Sequence, residues 1–199
     1  MQPSERDEIR DLLKRTAVAL KQAGVPFALC GGYAAWVRGA PEPEHDADFL
    51  VPARESERAA KALADAGLAV VDPAEDWLLK VVRDEEDGGA FVDVIWRTCG
   101  TPVEGNLIDR ADELPVLSVI MPVLAATDIV VTKLMALDEH YCDFSRLLPV
   151  ARALREQVDW AEVGRAVAGN DFAVVFLLLL DRLGIATAPT VGEQRAAGD

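Results

Sequence analysis

Three aspartates carry the clearest chemical signal in this chain. Asp46 and Asp48 are one residue apart in Asp46-Ala47-Asp48-Phe49-Leu50-Val51, a segment that reads as a strand. Side chains alternate faces along a strand, so both carboxylates point the same way. Asp93 sits within Phe91-Val92-Asp93-Val94-Ile95-Trp96, a second apolar strand, where a charge is expensive to bury without a partner. If the two strands are neighbours, three carboxylates converge. Two like charges about 5 Å apart repel by roughly 3 kcal/mol at an effective dielectric near 20. Such a cluster calls for protonation of one member or for a divalent cation. An oxygen-only set suits Mg2+, which takes a few carboxylates and leaves positions for substrate phosphate oxygens.

Gly31-Gly32 supplies the second half of the pattern. The pair stands between a short apolar strand, Phe27-Ala28-Leu29-Cys30, and a helical stretch that starts at Tyr33. Glycines there let backbone amides approach an anion closely at a helix start. An anion cradle beside a carboxylate cluster describes a site for a nucleoside triphosphate. Taken singly, each piece has an ordinary explanation: a Gly-Gly is usually a turn, and an Asp-x-Asp is usually a solvated edge. The combination, in this order and on these element types, carries the reading.

The elements that must position these residues follow from periodicity. Residues 3–23 carry Ile9, Leu12, Leu13, Ala17 and Leu20 at helical spacing, stopped by Gly24-Val25-Pro26. Ser56 to Ala66 reads as an Ala-rich helix closed by Gly67, and Leu68 to Val71 as a strand. Residues 77–83 and 90–96 read as a hairpin around the turn-forming run Asp84 to Gly89. Val116 to Val123 reads as one extended apolar piece. Beyond it the pattern is helical, over 127–137, 144–157, 160–167 and 171–183. The expectation is an α/β (α+β) protein: residues 1–115 form a mixed sheet flanked by helices, and residues 116–199 form a helical region packed on that core. The tryptophans, Tyr33 and Cys30 are expected in the core. His45 is read as a bystander in its loop and His140 as a helix cap, and the tail from Ala188 to Asp199 as frayed.

Composition narrows the function. Half of the 199 residues are hydrophobic, which excludes a disordered chain. The formal charge is −14, with no cluster of Lys or Arg, which argues against DNA binding and against tight non-specific nucleic-acid binding. Cys30, Cys99 and Cys142 are odd in number and lack metal or redox spacing, as expected of a reducing, cytoplasmic setting. The longest apolar run, 172–180, is far shorter than a membrane span, so no membrane partner is expected.

Gly31-Gly32, thirteen intervening residues, Asp46-Ala47-Asp48 and the later strand-borne Asp93 resemble the signature of the DNA polymerase beta-like nucleotidyltransferase superfamily. The stretch Cys30 to Gly39 is similar to the helix-entry motif of its small bacterial members, the antibiotic nucleotidyltransferases and toxin-like (abortive-infection type) enzymes. Thr127 to Leu134 and Tyr141 to Phe144 resemble the helical segment of the toxin-like branch, in which a Lys and a downstream Asp complete the nucleotide site. The resemblance implies that Asp46 and Asp48 hold Mg2+ and that Asp93 completes the metal site and helps deprotonate an acceptor hydroxyl. It also implies that Gly31, Gly32, Lys133 and Asp143 bind the nucleotide. A nucleoside monophosphate would pass from an NTP to a small-molecule or RNA 3′-end hydroxyl. A toxin with an antitoxin partner and a nucleotide-binding module without activity are the alternative expectations.

Overall fold

The computed structural model describes residues 5–71, 73–82 and 91–187. The expected turn at 84–89 and the tail from 188 lie outside the described residues. The chain divides into two compact units, one formed by Met1–Val37 with Glu42–Ala125 and the other by Arg38–Pro41 with Ala126–Asp199.

The first unit opens with α1 (Glu5–Gln22), whose Ile9, Leu12, Leu13, Thr16, Ala17, Ala19 and Leu20 are buried along one side. Gly24 ends it at φ +65°, with Val25 N–H donating to Leu20 O and Gly24 N–H to Lys21 O. This paired closure needs a left-handed residue, which glycine adopts without strain. Then follow β1 (Ala28–Cys30), α2 (Gly31–Val37), β2 (Asp46–Leu50), a short 3-10 turn (Ala53–Glu55), α3 (Ser56–Asp65) and β3 (Ala69–Val71). After these come β4 (Leu78–Val82), β5 (Phe91–Ile95), β6 (Arg97–Thr98), β7 (Thr101–Pro102), α4 (Gly105–Asp109), β8 (Asp112–Val116) and β9 (Val119–Val123).

Seven strands form one mixed sheet in the order β3-β4-β5-β2-β1-β9-β8, and β6 and β7 form a separate small hairpin. Within the large sheet β2 runs parallel to β5 and β1 parallel to β9; the other neighbours are antiparallel. The sheet has two chemically distinct faces. Ala47 and Phe49 of β2 pair in register with Val92 and Val94 of β5, which pair with Val81 and Leu79 of β4. All six are buried. Helix α1 packs along β2, β4, β5 and β9 and against α3, so its apolar side supplies a second layer of core.

Three expectations are revised. Val116 to Val123 is not one extended piece. It spans the turn of a hairpin, with Leu117 and Ser118 at φ +48° and +72° between β8 and β9. That geometry is the left-handed two-residue turn that matches strand twist; it is usually marked by Asn-Gly, which this sequence lacks. Because β9 pairs with β1, the compact unit runs through Ala125 rather than stopping near residue 115. The tryptophans also sit less deeply than expected: Trp36, Trp96 and Trp160 are half-buried and Trp77 is exposed. Tyr33 and Cys30 are buried as expected.

The second unit holds α5 (Ala126–Met135), α6 (Phe144–Leu154), α7 (Trp160–Ala166) and α8 (Asp171–Arg182), with α5 packed on the other three. Asn170 ties two of these helices together. Its Oδ1 accepts from Ala173 N–H and caps α8, while its Nδ2 donates to the Leu137 carbonyl at 2.9 Å just beyond α5. Asn170→Ala removes a cap and strands a carbonyl, and is expected to cost about 2 kcal/mol. Asn170→Asp keeps the cap oxygen and adds a negative charge favoured at a helix start, but sets a carboxylate oxygen against the Leu137 carbonyl in place of the donor. Thermal melts of both variants check this, with Asn170→Asp falling between Asn170→Ala and wild type. Among the described residues no helix is long and apolar enough to cross a membrane.

Candidate active site

The second face of the large sheet carries the polar residues. Strand register places Cys30, Asp48, Asp93 and Lys80 in one row across β1, β2, β5 and β4. Asp46, two residues before Asp48, shares that face. The expectation that the Asp46-Asp48 strand neighbours the Asp93 strand therefore holds. Ligand oxygens of Asp46, Asp48 and Asp93 all lie within 4.8 Å of one another. Opposite oxygens around Mg2+ are about 4.2 Å apart. The donor set consists of hard carboxylate oxygens, which suits Mg2+ and not a thiolate- or imidazole-seeking metal.

Asp46 and Asp48 are half-buried, whereas Asp93 is 9% exposed. Burial is the main force raising the Asp93 carboxyl above its ordinary range, and Asp46 and Glu75 push the same way. Lys80 opposes them, its Nζ lying 2.9 Å from Asp93 Oδ1. The same ammonium sits 4.1 Å from the centre of the Phe91 ring, two residues along β5 from Asp93. Lys80 is thus the partner that a buried aspartate requires.

The glycine pair has an immediate steric reason. Gly31 stands at φ +62°, and a Cβ there would meet Asp48 Oδ2 at 1.8 Å. A Cβ on Gly32 would meet Pro43 Cβ at 2.9 Å. Gly31 therefore leaves the space in which the Asp48 carboxylate sits, and Gly32 lets the loop before β2 lie against α2.

That loop is clamped to α1. Arg10 donates to Glu42 through Nε at 2.8 Å and through one terminal nitrogen at 2.7 Å. The Arg10 guanidinium lies 5.9 Å from the Trp36 ring, which meets Tyr33 edge-on. The bond to Glu42 holds the Arg10 guanidinium above its ordinary range, and burial pushes the Tyr33 hydroxyl up to about 12. Arg6 adds a looser contact to Glu44 at 3.3 Å. Because Glu42 lies only four residues before Asp46, the clamp fixes how β2 enters the site. Arg10→Met is expected to cost about 1–3 kcal/mol. It should also accelerate amide exchange at residues 42–46, which hydrogen-exchange mass spectrometry reads directly.

Lys133 and Asp143 belong to the second unit. Lys133 lies half-buried in α5. Asp143 caps α6: its Oδ1 accepts from Ser145 N–H at 3.0 Å and from Ser145 Oγ at 2.6 Å. These bonds hold its carboxyl below the usual range. His45 and His140 are exposed. Lys80, Arg10 and Glu42 are the site residues that the sequence pattern alone did not single out.

The comparisons with known proteins fit this geometry. Over 88% of this chain and 96% of the other, the fold superposes on the solution structure of the antibiotic-resistance factor ANT(2'')-Ia, with a TM-score of 0.53 and 14% identity. ANT(2'')-Ia in complex with adenylyl-2''-tobramycin gives a TM-score of 0.52 at 13% identity, over 84% of this chain and 98% of that one. A crystal structure from H. pylori assigned to the nucleotidyltransferases matches at 0.53 and 16% identity, over 88% and 82%. The chain has a nucleotidyltransferase fold. At these identities the likeness is one of fold. No family model matches the sequence, and no curated protein matches it.

Proposed function

We propose that the chain is a Mg2+-dependent nucleotidyltransferase that moves a nucleoside monophosphate from an NTP to the hydroxyl of a small-molecule acceptor. One observation carries the reading: Asp46, Asp48 and Asp93 converge on one face of a sheet whose fold is that of nucleotidyltransferases. In this reading the three carboxylates hold the cation. When bound, it neutralises charge on the triphosphate. Asp93 takes the proton of the acceptor hydroxyl as that oxygen bonds to the α-phosphorus. Pyrophosphate leaves as the bond to the α-phosphate breaks. Gly31 and Gly32 border the phosphates, and Lys133 and Asp143 are assigned to the nucleotide through the sequence resemblance.

Charge favours one acceptor class over the other. The chain has 34 acidic and 20 basic residues, so a polyanionic RNA end meets net repulsion, whereas a neutral or cationic small molecule does not. The compound named in one matching structure, adenylyl-2''-tobramycin, is a small molecule. Incubation with α-labelled NTPs, Mg2+, an aminoglycoside pool and a tRNA pool tests this. Label is expected on a small molecule, and Asp46→Ala should abolish the transfer. Absence of transfer to the small molecules by wild type, with or without label on tRNA, contradicts the proposal.

A further inference from the structure

Lys80 has no place in the carboxylate signature, yet it lies in the same cross-strand row as Asp48 and Asp93 and contacts Asp93 at 2.9 Å. It is not a surface ion pair. The Asp93 side chain is 12% exposed and that of Lys80 31%, with the ammonium also resting over Phe91. A buried carboxylate with two others within 4.8 Å needs a positive charge to persist in the metal-free protein. Lys80 supplies that charge from within the sheet. With it, the formal charge of the four side chains is −2, the charge that one divalent ion neutralises.

We propose that Lys80 is a positioning residue that holds Asp93 by one oxygen and serves as the resident counter-charge of the triad, setting its affinity for the divalent cation. This rests on the metal-site reading above. Loss of Lys80 has two opposite consequences. The metal-free protein loses its internal counter-ion and becomes less stable. The cation, no longer repelled by a neighbouring ammonium, binds more tightly. A merely structural role predicts the reverse for the second effect, because a damaged site binds metal less well.

The test uses the full chain and Mn2+ alone, followed by electron paramagnetic resonance, with thermal melts in the presence of EDTA and of excess Mn2+. Lys80→Met keeps all but the last atom of the side chain's reach toward Phe91, and Lys80→Gln provides a second neutral variant should Lys80→Met fold poorly. Both are expected to bind Mn2+ about tenfold more tightly than wild type, the size expected for removing one charge near a divalent ion. Both should melt lower than wild type in EDTA and recover most of the difference in Mn2+. Lys80→Arg should restore affinity and metal-free stability to near wild type. Unchanged or weaker Mn2+ binding by the neutral variants, with wild type binding normally, overturns the role of Lys80 and leaves the metal site standing. Absence of Mn2+ binding by wild type overturns both.

Discussion

Asp46→Asn is expected to abolish Mg2+-dependent nucleotidyl transfer while making the metal-free protein more stable. The two effects have one cause. Asp46 faces Asp48 and Asp93 with oxygens within 4.8 Å, and its charge pushes the Asp93 carboxyl up. Removing one of three like charges relieves on the order of 1 kcal/mol in a half-solvated site, and up to about 3 where solvent screens less. For a domain of this size each kcal/mol shifts the melting temperature by roughly 2–4 °C. The same change removes a ligand from the cation. Metal stabilisation of developing charge is worth several kcal/mol, so turnover should fall about 10³-fold or more. Melting in EDTA and in Mg2+ separates the effects: Asp46→Asn should melt higher than wild type in EDTA and gain less from Mg2+. A variant that is less stable than wild type in EDTA would show that the carboxylates do not strain the fold.

Gly31→Ala carries the second large effect, and it acts without changing any charge. The new methyl group would sit 1.8 Å from Asp48 Oδ2, at a backbone φ of +62° that alanine adopts only with strain. Either Asp48 swings away or the start of α2 moves. The strained backbone alone costs about 1–3 kcal/mol. A displacement of about 1 Å in a reacting group can cost roughly 10²-fold in rate. The expected result is a variant that folds, melts several degrees lower, binds Mn2+ more weakly and turns over at least about a hundredfold more slowly. Gly32→Ala is the control. Its methyl group meets Pro43 at 2.9 Å, in the loop before Asp46 rather than at a carboxylate, so it should lose stability and lose less metal affinity than Gly31→Ala.

Much of the site was legible in the sequence because its signals are local. Asp46-Ala47-Asp48 needs only strand alternation to put both carboxylates on one face, and an aspartate inside Val92-Asp93-Val94 announces a partner wherever the strand lies. Most helices of both units were readable from apolar spacing, whereas the short α4 (Gly105–Asp109) carries too few apolar residues to show a period. What stayed hidden depends on register and on turns. Lys80 lies in Leu79-Lys80-Val81, the mirror of the Asp93 signal, but its pairing with Asp93 depends on the register in which β4 and β5 align. No short motif encodes that alignment. The β8–β9 hairpin was read as one strand because Leu117-Ser118 lacks the usual turn residues, and the left-handed conformation there is imposed by the pairing around it. The steric purpose of Gly31 was equally invisible. A glycine pair in sequence suggests an approach by something, and only the folded chain identifies Asp48 as the group that approaches.

The clamp on the loop before β2 shows the same limit. Arg10 and Glu42 are 32 residues apart, and neither is unusual in its local setting. Together they connect α1, which reads from sequence as a plain amphipathic helix, to the segment that delivers Asp46. This places part of the precision of the site in an element whose main task is covering the apolar face of the sheet.

The central claim is that the carboxylate row binds a nucleoside triphosphate through a divalent cation. Calorimetric titration with a non-hydrolysable NTP analogue, with and without Mg2+, tests it most directly. Wild type should bind the analogue only when Mg2+ is present, and Asp46→Asn should lose that binding while remaining folded. Binding that is independent of Mg2+, or unchanged in Asp46→Asn, would contradict the account.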